Sequence, residues 1–94
     1  MRLAVLTYTY VPDVTERREP HRAAHLLLIE RMSAEGRLLI AGAVGDPPEG
    51  ALFVFRDASA AEDFAAADPY RDAGLVVEHS IRPWNVVAHS PLEG

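Results

Sequence analysis

Four side chains near residue 20 have the types and spacing for acid–base chemistry: Arg18, His21, Arg22 and His25. His21 and His25 lie at i and i+4 and Arg22 at i−3 from His25, so on a helix all fall near one stripe. The unpaired N–H groups of a helix start favour an anion, so a carboxylate or an enolate would be at home there. The same positive end disfavours an imidazolium, leaving His25 usable as a base. The competing reading is a solvated helical face, the ordinary fate of polar residues on a first turn. HxxxH is also a spacing for two metal ligands. No Glu follows His21 as a metalloprotease motif requires, and no third ligand clusters with the pair, so no metal is expected.

Asp68-Pro69-Tyr70 is the second group: a carboxylate just before a proline that helps fix the local backbone. Asp before Pro is also a common turn opener. Beside a histidine, however, an ionised Asp can hold one ring nitrogen, set the tautomer and stabilise the imidazolium formed at the other. His79 shares the parity of Leu75, Val77 and Ile81, which makes it either a satisfied core residue or a pocket residue. Phe53 and Trp84 read as packing or interface anchors. No serine stands in a nucleophile elbow and no glycine-rich phosphate loop is present; no cofactor is expected.

The elements that must position these groups follow from periodicity and punctuation. Leu3 to Tyr10 is rich in β-branched and aromatic residues and stops at Pro12-Asp13, a strand leading into a polar loop. From Glu19 to Glu35, Ala24, Leu27, Leu28 and Met32 recur at helical spacing, with Pro20 suited to the first turn and Gly36 to the left-handed position past the end. Arg37 to Val44 and Ala51 to Phe55 are short apolar runs around Asp46-Pro47-Pro48-Glu49-Gly50, a hairpin. Asp57 or Ser59 caps a second helix on the small-residue face of Ala60, Ala61, Phe64, Ala65 and Ala67, limited by Pro69. Leu75 to Arg82 alternates as a fourth strand; Pro83 interrupts it, and Trp84 to Val87 continues it past a bulge or along an edge. The tail from Ala88 to Gly94 reads as loosely held.

The order is βαββαβ, an α+β ferredoxin-like plan with two helices on one face of an antiparallel sheet. Strand one and the strand around Leu75 carry apolar residues at both parities, so the second face also needs cover. Length agrees. A chain of 94 residues is one small domain that buries only roughly 60–65% of the surface its unfolded form exposes, a margin that association widens. With no cysteine, disulfides, thiolate metal sites and thiol nucleophiles are excluded. Net charge is −5, all nine basic residues are arginine and none forms a long basic run, so nucleic acid is not an expected partner. The apolar stretch Leu38 to Gly45 is far below the roughly 20 residues of a membrane span, and no secretory h-region opens the chain. A cytoplasmic protein is the expectation.

Arg22-Ala23-Ala24-His25-Leu26, Glu35-Gly36-Arg37-Leu38-Leu39 with Ala41-Gly42, Ala67-Asp68-Pro69-Tyr70 with Ala73-Gly74-Leu75, and Arg82-Pro83-Trp84 together resemble the YciI-like (YCII-related) family of small bacterial proteins. Ala43 stands where that family often has proline. The family is similar in fold to muconolactone isomerase and other dimeric α+β barrel proteins, and the resemblance implies a homodimer with facing sheets. It also implies a His–Asp site at His25 and Asp68, with Arg22 as the anion partner and no role for His21. Tyr70 and His79 complete the expected ligand-binding set. Two functions remain open: a lyase or isomerase acting on a small anionic or cyclic metabolite by proton transfer, and a non-catalytic dimeric domain that binds a ligand or a partner protein.

Overall fold

The computed structural model describes residues 1–91, so residues 92–94 of the tail lie outside the description. In chain order the elements are β1 (Arg2–Tyr10), α1 (Val14–Arg17), α2 (Glu19–Ala34), β2 (Leu38–Val44), β3 (Gly50–Phe55), α3 (Ala58–Ala67), α4 (Pro69–Asp72) and β4 (Val76–Asn85). The strands form one antiparallel sheet in the order β2-β3-β1-β4. β1 therefore runs through the middle and β4 is an edge, which is how Pro83 and its missing N–H are accommodated inside the strand, opposite Ala4.

Alternation along β1 decides the layers. Ala4, Leu6, Tyr8 and Tyr10 are buried under the helices, joined on that face by Ala51, Phe53 and Phe55 of β3. Phe64 of α3 meets Phe53 and Phe55 with ring centroids 4.8 and 5.5 Å apart, filling the space between sheet and helix. Small residues let this helix lie close: Ala60, Ala61 and Ala65 are all buried. The α3 start is capped by Asp57, whose carboxylate accepts from the Ala60 N–H at 2.8 Å. At Gly50 a Cβ would collide with the Tyr8 carbonyl oxygen, so glycine there permits the close β1–β3 pairing that seats Tyr8.

Two one-turn helices were not foreseen. Within the expected polar loop, α1 forms because Val14 is buried and its carbonyl takes the Arg18 N–H at 2.8 Å, so an apolar anchor winds the loop. α4 is nucleated by Asp68, whose side chain accepts from the Tyr70 N–H at 3.1 Å, with Pro69 in the first turn. The α2 stripe also differs from expectation. His25, Leu28 and Met32 are its buried residues, whereas Ala24 and Leu27 face out. The sheet accepts the i, i+3, i+7 row that includes the histidine, because that row lies over Phe53 and Tyr70.

Candidate active site

Asp68 closes α3 and opens α4 in extended backbone geometry, pointing its carboxylate into the core, where it is 0% exposed. A carboxylate in such a place must collect donors. It has three. Tyr8 Oη donates to Oδ2 at 2.7 Å, His25 Nδ1 lies 2.7 Å from Oδ1, and the Tyr70 N–H reaches Oδ1 at 3.1 Å. The acceptor character of Asp68 assigns the imidazole hydrogen to Nδ1 and leaves the lone pair on Nε2. Burial, then the charge of Asp68, pushes the Tyr8 phenol far above its ordinary value, so Tyr8 stays a donor.

His25 is 5% exposed and stacks on the Tyr70 ring, centroids 3.6 Å apart and planes 5° from parallel. The ring is thus fixed in tilt by the stack and in rotation by Asp68. Nε2 makes no hydrogen bond to any described residue, and His25 forms part of the wall of a cavity of about 210 Å³. That cavity lies between α2 and the β2 side of the sheet. Arg18 and Arg22 lie on its helical wall, Phe53 and the Ala41 to Ala43 segment on its floor, and Tyr10 and Tyr70 at its sides. Such a group can take a proton at Nε2 and return it, with Asp68 balancing the imidazolium.

The structure brings together four of the five residues expected at the site: His25, Asp68, Arg22 and Tyr70. His79 is elsewhere. It is exposed on β4 and lies opposite Tyr8 across the outer side of β1, while the cavity lies toward β2. The apolar face expected for His79 does not form around it, because Leu75 precedes the strand and a register shift between Thr9 and Tyr10 leaves Val77 as an extra residue facing out. His21 does not line the cavity either. Tyr8, a strand residue that no motif in the sequence singles out, joins them through Asp68. Its phase with Ala4 and Leu6 was the available signal, since a tyrosine on a core face needs a partner for its hydroxyl. Removing that hydroxyl by Tyr8→Phe leaves Asp68 Oδ2 short of its donor and is expected to cost about 1–3 kcal/mol in urea unfolding. An unchanged midpoint would mean the Tyr8 bond contributes nothing.

No group of three or more His, Asp or Glu side chains among the described residues is placed to hold a metal. No helix among them is long and apolar enough to cross a membrane.

A four-stranded antiparallel sheet of this order with its helices on one face is the ferredoxin-like α+β fold, here enclosing a buried His–Asp pair beside a small cavity. Residues 1–85 match the YCII-related domain, and the chain belongs to that family. An uncharacterized protein from Haemophilus influenzae is 35% identical over 88 residues, covering 82% of this chain and 90% of its own. Protein YciI from Escherichia coli is 35% identical over 86 residues, covering 80% of this chain and 88% of its own. Among solved structures, 5-chloro-2-hydroxyhydroquinone dehydrochlorinase from Burkholderia phenoliruptrix, in complex with 2,5-dihydroxybenzoquinone, superposes with a TM-score of 0.71. It is 20% identical, and the match covers 88% of this chain and 93% of that one. At that identity the likeness is one of fold.

Proposed function

We propose that this protein is a cofactor-independent enzyme of the lyase or isomerase type, acting on a small anionic or cyclic metabolite, with His25 as the proton-transfer group. The observation that carries the reading is the Tyr8–Asp68–His25 chain, which ends on an imidazole nitrogen without a protein partner at a cavity wall. Asp68 orients the ring and offsets the charge it gains, Tyr70 holds it from one face, and Arg22 lies where a developing oxyanion would be stabilised. The dehydrochlorinase with the same fold is named for an elimination, a reaction that needs such a proton acceptor. In D₂O, a panel of small enolisable acids and hydroxylated ring compounds is expected to include one whose carbon-bound proton exchanges or whose leaving group departs. His25→Gln should slow that reaction about 10²–10⁴-fold. Turnover that survives the substitution would refute the mechanism and leave the cavity as a ligand-holding pocket.

The protein acts, in this proposal, as a homodimer. Support comes from the sheet face opposite the helices, where Leu3, Val5, Ile40, Val44, Leu52 and Trp84 share one side without a helix over them. Ile40, Leu52 and Trp84 are 48%, 45% and 47% exposed in the single chain. A second copy of the same face would cover them and join the two sheets back to back.

A further inference from the structure

The walls around His25 carry an unusual charge for this chain. Overall it is acidic, at −5, yet the cavity is lined by two arginines and no Asp or Glu among the described residues. Among the described residues neither arginine forms an ion pair with a carboxylate; the arginine pairs that do form there are Arg17–Asp13 and Arg37–Asp63, away from the cavity. Two donors on the cavity wall are also left unpaired. Arg18 Nε and Tyr70 Oη are both buried and meet no hydrogen-bond partner among the described residues. Leaving a buried donor unpaired costs about 1–3 kcal/mol, so a fold retains two of them on residues that line one cavity only where something else satisfies them.

Tyr70 is the more telling of the two. Its side chain is 2% exposed, and its position is fixed twice: by the stack on His25, and by the backbone hydrogen bond to Asp68 that starts α4. Burial raises the phenol, and the Arg22 and Arg18 guanidiniums act against that rise; Arg22 lies beside the hydroxyl without completing a hydrogen bond. Apart from His25 and Tyr10 the rest of the lining is apolar, with Phe53, Leu26 and Ile29 among it.

The geometry points to a carboxylate subsite in this cavity, formed by Arg18 Nε–H and Tyr70 O–H with Arg22 as additional counter-charge, so that the ligand is a small monocarboxylate with an apolar body. Two carboxylate oxygens can accept from both orphaned donors at once, and guanidinium–carboxylate bonds are among the strong ones. The apolar walls suit a hydrocarbon or ring body better than a second charged group. At about 210 Å³ the cavity is below the roughly 300–1,000 Å³ typical of pockets for drug-sized ligands, which limits the body to about one ring. The inference rests on the His25 reading only for which end of the ligand reacts; binding itself is measured without turnover.

The test is calorimetric titration of the full chain at pH 7 and low salt with benzoate, its neutral isostere benzamide, and inorganic phosphate. Benzoate is expected to bind at least tenfold more tightly than benzamide or phosphate. Arg18→Gln and Tyr70→Phe should each weaken benzoate about tenfold, the loss of one hydrogen bond to a charged group, and leave benzamide unaffected. Each variant removes a buried donor that is unpaired in the free protein, so neither is expected to lower the thermal midpoint, which is checked alongside. Benzoate binding no tighter than benzamide, a preference for phosphate, or full benzoate affinity in either variant would overturn the subsite. Selective benzoate binding in a protein whose turnover survives His25→Gln would uphold the subsite and remove only the catalytic reading.

Discussion

Asp68→Ala is expected to destabilise the protein by about 3–5 kcal/mol, the range seen when one partner of a buried charged pair is removed. Asp68 is wholly buried and is the shared acceptor of Tyr8, His25 and the Tyr70 N–H, so the substitution orphans three donors and uncaps α4 together. Each orphan alone costs about 1–3 kcal/mol, but they share one acceptor, and water entering the vacated space recovers part of the loss, so the sum is not simply additive. For a domain of this size that is a fall in melting temperature of roughly 15 °C or more. Asp68→Asn should lose only about 1–2 kcal/mol, because an amide keeps the shape and one acceptor oxygen and the Tyr8 hydroxyl can turn to accept from the new NH₂. The measurement is urea unfolding at one fixed protomer concentration, since association makes apparent stability concentration-dependent. An alanine variant within 1 kcal/mol of the parent would show that the network does not hold α2 and α3 against the sheet. The asparagine variant has a second use: it keeps the fold without the charge that would balance an imidazolium, so turnover should fall far more than stability.

Ile40→Glu combined with Leu52→Glu should convert the proposed dimer to monomers. The two residues lie on the open face, on the neighbouring strands β2 and β3, where Ile40 is opposite Val54 and Leu52 opposite Gly42. Burying each of these side chains against a partner is worth about 1.5–3 kcal/mol, and a two-fold axis counts every substitution twice. With half of that recovered by repacking, the loss is still about 3–6 kcal/mol and weakens the dimer by roughly 10²-fold or more. Light scattering at micromolar concentration should report twice the 10.3 kDa chain mass for the parent and the single-chain mass for the variant. The variant's far-ultraviolet signal should persist, because the helices pack on the opposite face. A parent that runs as a monomer removes the dimer; a variant that remains dimeric puts the interface elsewhere.

Much of the framework was legible because it depends on neighbours in sequence. Strand one, the long helix ending at Gly36, the hairpin around Pro47-Pro48, the Asp57 cap and the edge strand through Pro83 are each specified by periodicity, caps and turn residues within a few positions. The one-turn helices were not, since a single turn stands or falls with one buried anchor or one cap, Val14 for α1 and Asp68 for α4. Apolar counting misjudged α2. It favoured Leu27, whereas the buried row runs through His25, and only the aromatic partners across the chain explain why.

For the site, the residue types around His25 and Asp68 expressed acid–base chemistry, and residues three and four apart on a helix share a stripe wherever that helix lies. The contacts that make a site of them span 43 residues from His25 to Asp68 and 60 from Tyr8 to Asp68. No local pattern encodes such a meeting. Parity put His79 with Val77 and Ile81, but one extra residue opposite Thr9 and Tyr10 and the position of β4 at the far edge removed it from the cavity. By itself, then, the sequence determined the βαββαβ order and the absence of thiol chemistry, and offered His25 and Asp68 as candidates whose pairing came only from the family resemblance. Tertiary structure alone decided that Tyr8 bonds to Asp68, that His79 lies away from the cavity, and that Arg18 and Tyr70, each with an unpaired buried donor, line that cavity, because those facts depend on how sheet order and helix packing bring together groups distant along the chain.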